Sequence, residues 1–142
     1  MSDESGPLVR RHLAFGWWTI LIYLTLGAGL EAAHALKLEL YVDQANTTRR
    51  LMWTLAHAHG TLLGLMSVAF AFTASRLDGW TDRSRRTASR ALMAATLLLP
   101  LGFFLGGLVI HAGDPGLGIV LVPAGALLLF VAVFLTARAC RA

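Results

Sequence analysis

The chain has 142 residues, of which 56% are hydrophobic and only 14% charged, and its mean hydropathy is +0.65. A water-soluble domain carries about a quarter charged residues, whereas here the apolar residues stand in blocks of ~20, the length that crosses a ~30 Å hydrocarbon core; a soluble globular domain is excluded. The net charge of +4 and the pI near 10.2 trace to basic residues gathered in connecting segments, a membrane-insertion pattern that argues against nucleic acid as a partner.

Residues 1–11 are polar and end in Arg10-Arg11. The apolar stretch Leu13–Leu36 exceeds the ~7–15 residues of a signal-peptide core and reads as a retained first span. A polar segment, Lys37–Arg50, leads to a second span at 51–75, which is followed by a hydrophilic loop, Arg76–Arg90, with five arginines. The third span covers 91–112, Gly113-Asp114-Pro115-Gly116 makes a tight turn, and the fourth span covers 117–137. Pro100 and Pro123 are expected to kink the last two spans. The pairs Gly60/Gly64 and Gly102/Gly106 offer close helix approach in lipid. Trp17, Trp18, Trp53 and Trp80 fall near span ends and read as interfacial anchors, and His12, beside two arginines, as an interfacial basic residue. The single cysteine, Cys140, excludes an internal disulfide. Asn46-Thr47-Thr48 matches a glycosylation acceptor, a match without weight in a chain of bacterial character.

The N-terminus, the middle loop and the C-terminus hold two, five and two basic residues, against three (Lys37, Arg49 and Arg50) on the opposite side. Both termini and the Arg76–Arg90 loop are therefore expected in the cytoplasm of a bacterial inner membrane, with Lys37–Arg50 and the Asp114 turn facing outward. Short connections make successive spans antiparallel. The fold class is an all-α, single-domain integral membrane protein, an antiparallel four-helix bundle over residues 1–142.

Ionisable side chains inside a bilayer are costly and mark candidate functional residues. Glu31 and His34 lie near the outward end of the first span, His57 and His59 in the outward third of the second, and His111 and Asp114 at and just beyond the end of the third. Counting at 1.5 Å per residue puts Glu31 ~9 Å and His57 ~10 Å below the outward surface, so the two are level within a turn. The inward halves of the spans, as bounded above, hold no ionisable residue.

Spacing then sorts the faces. Glu31 and His34, three apart, share a helix face, as His111 and Asp114 would on a continuing helix. A Glu-x-x-His pair on a bundle helix is a recurrent way of aiming two metal ligands inward. His57 and His59 diverge by ~200°, so a straight helix does not aim both at one point. His57 shares its face with Thr54, Thr61 and Gly64, a small and polar stripe suited to the interior, and is expected to be the central ligand. His59 shares its face with Leu55, Leu62 and Met66 and takes a secondary role. Imidazole and carboxylate together bind copper, zinc, iron or nickel; two histidines on different spans hold a b-type haem; a Glu–His pair relays protons; and a cofactor-free vestibule needs none of these.

The segment Trp53-Thr54-Leu55-Ala56-His57-Ala58-His59-Gly60-Thr61-Leu62-Leu63-Gly64 resembles one found in small, uncharacterised bacterial membrane proteins with a His-x-His early in their second span. It bears a looser likeness to histidine-bearing spans of the haem–copper oxidase superfamily. The likeness covers about a dozen residues, and what it implies is a haem or metal ligand at His57 or His59.

Together these readings give an outward-facing transition-metal (Cu, Zn or Fe) or haem site, with His57, Glu31, His34 and His111 as ligands. His59 would be an extra ligand, and Asp114, Thr54 and Thr61 would support them by hydrogen bonds. One alternative is an accessory subunit, a homo-oligomer or part of a larger complex, in which glycine faces carry the contacts and the histidines are structural. Another is a small proton-coupled transporter, which the apolar inward halves argue against.

Overall fold

The computed structural model describes residues 5–42 and 47–141; Asn46 of the acceptor motif lies outside them. Helix α1 spans Ser5–Ala35, a single turn α2 covers Glu39–Val42, α3 spans Thr47–Ala74, and α4 spans Asp82–Leu108. Two short strands, β1 (Ile110–His111) and β2 (Asp114–Pro115), and a 3-10 turn at Leu117–Val120 lead into α5 (Leu121–Ala139). Four helices, α1, α3, α4 and α5 with its leading turn, are long and apolar enough to cross a membrane. The chain is a multi-pass membrane protein built as an all-α four-helix bundle. Hydrocarbon offers no partner to backbone N–H and C=O groups, so each span must close its hydrogen bonds internally, and the helix does this.

Packing follows chain order: α1 lies on α3, α3 on α4, and α4 on α5. The inner pair buries more of its surface than the outer pair. Of the most apolar 18-residue windows, 39% of α3 and 50% of α4 is buried within the protein, against 17% of α1 and 11% of α5. Chain direction alternates, so both termini, the α3–α4 connection and nine of the arginines share one end, here the terminal end. The α1–α3 and α4–α5 connections form the far end.

Glycines set the approach of α1 to α3. A Cβ on Gly16 would stand 2.7 Å from the Gly64 carbonyl oxygen, and one on Gly64 3.0 Å from the Gly16 oxygen. A Cβ on Gly60 would collide with the Tyr23 ring, and one on Gly27 with the His57 ring. Along α4, Gly102 takes Val122 of α5, and Gly107 takes the Trp53 indole, 2.7 Å from where its Cβ would be.

Helix ends depart from the sequence boundaries for local reasons. Helix α4 starts at Asp82, well inside the expected hydrophilic loop, where Asp82 pairs with Arg85 one turn on. It ends at Leu108, before the expected 112, because Val109 is extended and opens a hairpin pairing Ile110 with Pro115 and His111 with Asp114. The reversal falls on Ala112 and Gly113, both at positive φ (50° and 91°), one pair earlier in the chain than expected. Pro123 kinks nothing: it sits in the first turn of α5, where a missing N–H leaves no helix bond unmade. Trp80 is not an interfacial anchor but 8% exposed, edge-on to Phe70 with ring centroids 5.6 Å apart.

The glycine seam yields a test. Gly16→Ala should lower stability by about 1–3 kcal/mol, since the obstructing atom is backbone and does not move aside. Gly29→Ala, which meets nothing within 4 Å, should change it by less than about 0.5 kcal/mol. Thermal unfolding in detergent compares the two.

Candidate functional site

The far end holds the predicted residues, but the helices present them on different faces. The packed stripe of α1 runs through Leu8, His12, Gly16, Ile20, Tyr23 and Gly27, at helical spacing. Glu31 falls on another stripe, with Trp17, Leu21, Leu24 and Ala28, and is exposed, as is His34. The His34 ring instead meets Tyr41 of α2 edge-on, with centroids 6.4 Å apart.

Helix α3 lies between α1 and α4, so the ~200° divergence of His57 and His59 turns one toward each neighbour. The His57 ring lies against Gly27 of α1, its Nδ1 2.7 Å from the Tyr23 carbonyl oxygen. The His59 ring packs on Phe103 of α4 at 4.9 Å, with Nδ1 2.9 Å from the Leu55 carbonyl oxygen of its own helix. A carbonyl only accepts, so in both rings Nδ1 carries a proton, and in the neutral form of either ring the lone pair falls on Nε2. Thr54 is exposed, because the interior stripe of α3 runs through Met52, Ala56, Gly60 and Leu63 instead. Thr61 is half-buried, and its Oγ1 is buried without a hydrogen-bond partner among the described residues. His111 and Asp114 face each other across the hairpin, both exposed, rather than along a helix.

Of the six ionisable residues, only His111 and Asp114 are brought opposite one another, across the hairpin. Among the described residues, no group of three or more His, Cys, Asp or Glu side chains stands close enough to hold a metal ion. What the far end assembles is aromatic. Tyr41, Trp53 and Phe104 stack in series, with centroids 6.5 and 5.9 Å apart, and tie α2, α3 and α4 together. Arg49 lies 5.9 Å over the Trp53 ring and donates from Nε to the Gly107 carbonyl at 3.1 Å, satisfying one of the orphan acceptors that end α4. Trp53 Nε1 donates to the Phe104 carbonyl at 3.2 Å.

The polar centre that sequence reasoning missed is at the other end. His12 is not interfacial: it is 0% exposed, held between three helices. Its Nδ1 is 2.8 Å from Ser67 Oγ on α3 and its Nε2 2.8 Å from Ser89 Oγ on α4, and its ring lies 4.5 Å from that of Phe70. Arg11 Nη2 donates to the same Ser89 hydroxyl at 3.1 Å. A hydroxyl both donates and accepts, so a neutral imidazole satisfies both serines in either tautomer. Ser67 and Ser89 are themselves 0% exposed, so neither is open to a substrate as it stands. A signal was present in the sequence: His12 precedes Gly16 by four residues, on the stripe that continues through Ile20, Tyr23 and Gly27.

Comparison of the chain with protein-family models, with curated proteins and with solved structures gives no match.

The buried histidine gives the second test. His12→Ala removes two hydrogen bonds and a packed ring and leaves two serines unpartnered, so a loss of about 2–4 kcal/mol is expected. His34→Ala, on an exposed side chain, should lose less than about 0.5 kcal/mol. Unfolding in detergent, followed by helical circular dichroism, reads both.

Proposed function

We propose that this chain is a non-catalytic structural subunit of a larger assembly in a bacterial inner membrane, with both termini cytoplasmic. The observation that carries the reading is how the interior polar groups are used. His12 joins α1 to Ser67 and Ser89, His57 joins α3 to the Tyr23 carbonyl, and Trp53 and Arg49 reach carbonyls of α4. Each fastens helix to helix, and glycine faces carry the contacts between them. Such a molecule is built to hold a shape. The outer helices α1 and α5 present long apolar flanks, with Leu127, Phe130 and Phe134 exposed along α5, on which a membrane-embedded partner or a second copy can pack.

A second reading keeps a transition metal (Cu, Zn or Fe) or b-type haem at His57 or His59. It is favoured by one observation: in both rings the backbone carbonyl fixes the proton on Nδ1, the arrangement that leaves Nε2 ready as a ligand. Among the described residues neither ring belongs to a group of three His, Cys, Asp or Glu side chains, so further ligands would have to come from beyond those residues.

One preparation separates the two. Purified from its host membranes in mild detergent, the protein should be colourless, free of stoichiometric metal, and part of a discrete species heavier than the 15.3 kDa chain. A cysteine replacing Leu127, in a Cys140→Ser background, should crosslink within that species. A lone chain with a Soret band, or with one metal per chain that His57→Ala removes, overturns the structural reading in favour of the second. A lone, colourless, metal-free chain overturns both.

A further inference from the structure

Pro7, Leu8, Arg11, Arg86 and Arg90 line a cleft of about 430 Å³ between α1 and α4 at the terminal end. We infer that this cleft binds the phosphate headgroup of an anionic phospholipid, whose acyl chains lie along the adjoining α1–α4 groove. Membrane insertion by itself requires only that basic residues lie near one side of the membrane. It does not require arginines from two helices to converge on one cavity, as these do. Guanidinium groups match phosphate oxygens two N–H bonds at a time. Arg11 is held in place for this by its bond to Ser89, which His12 in turn holds. The site is thus pre-organised on a buried support rather than carried on free side chains.

Helical spacing argues for a lipid over free phosphate. On α1, the positions four, seven and eleven beyond Arg11 are Phe15, Trp18 and Ile22, and the last two are 66% and 60% exposed. On α4, those seven and eleven beyond Arg90 are Leu97 and Leu101, 57% and 42% exposed. Two apolar stripes therefore run from the basic cleft toward the middle of the bundle, as a headgroup with its chains requires. Basic pockets between membrane helices are suited to anionic headgroups in this way.

Native mass spectrometry and thermal unfolding of the full chain, delipidated in detergent, test the assignment. Added phosphatidylglycerol should be retained as a discrete adduct and should raise the midpoint by several degrees, while phosphatidylcholine and inorganic phosphate at matched concentration should not. Arg90→Gln should weaken retention about five- to tenfold, Arg90→Lys less, and Arg76→Gln, in the loop outside the cleft, hardly at all. The lipid-free midpoint of each variant reports whether it is folded. Equal effects of the two lipids would show general solvation by lipid, and equal losses in Arg90→Gln and Arg76→Gln would show diffuse charge, and either would overturn the site. Stabilisation by inorganic phosphate alone would overturn the lipid assignment.

Discussion

The contact on which the rest of the molecule depends is the approach of α1 to α3 at Gly16 and Gly64. In hydrocarbon there is no solvent-driven force to press two apolar helices together, so association rests on van der Waals fit and on hydrogen bonds between helices. Two glycines facing each other let the backbones come within reach, and either Cβ would sit about 3 Å or less from the opposite carbonyl oxygen. Once that point is set, the register of the pair is set. Moving one way along the seam brings Tyr23 onto Gly60 and then Gly27 onto His57; moving the other way brings His12 to Ser67. A shift by one residue would place a ring where a glycine must be.

Polar bonds complete what the glycines begin. Individual hydrogen bonds between membrane helices contribute modestly, on average about 0.6 kcal/mol, because the unfolded chain in lipid also finds partners. Their directionality matters more than their sum. His12 offers two nitrogens on opposite sides of one ring, so it reads α3 and α4 at once, and only one rotation of α1 satisfies both serines. His57, bound to a backbone carbonyl, fixes the same helix pair nearer the far end. The three-ring stack of Tyr41, Trp53 and Phe104 then locks the far-end turn α2 onto the inner helices.

The spans were legible in the sequence because length and hydropathy are properties of a single helix, and membrane thickness imposes both. Which face of each helix turns inward was not, because that depends on neighbours. The rule that His57 and His59 cannot aim at one point held geometrically, yet each found a neighbour, because α3 is flanked on two sides. Glu31 looked buried from its depth, but depth along an axis says nothing of rotation about it, and the stripe of α1 carrying Glu31 turns away from α3. His12 was discounted for its neighbours in sequence, Arg10 and Arg11, although helical geometry puts those on other faces. Trp80 was misplaced similarly, since its burial against Phe70 depends on how the α3–α4 connection folds back.

The two ends of the bundle consequently have different characters. At the far end, aromatic rings and backbone carbonyls satisfy one another, with Arg49 closing the end of α4 and the Thr48 hydroxyl reaching the Gly113 carbonyl of the hairpin at 2.6 Å. At the terminal end, a buried imidazole stands directly behind a cleft of arginines. Ser89 connects the two, accepting from Arg11 while bonded to His12. Any force on the Arg11 guanidinium is therefore carried through one hydroxyl to the ring that holds α1, α3 and α4 in register. An anion seated among the arginines would act through that hydroxyl on the packing of three helices.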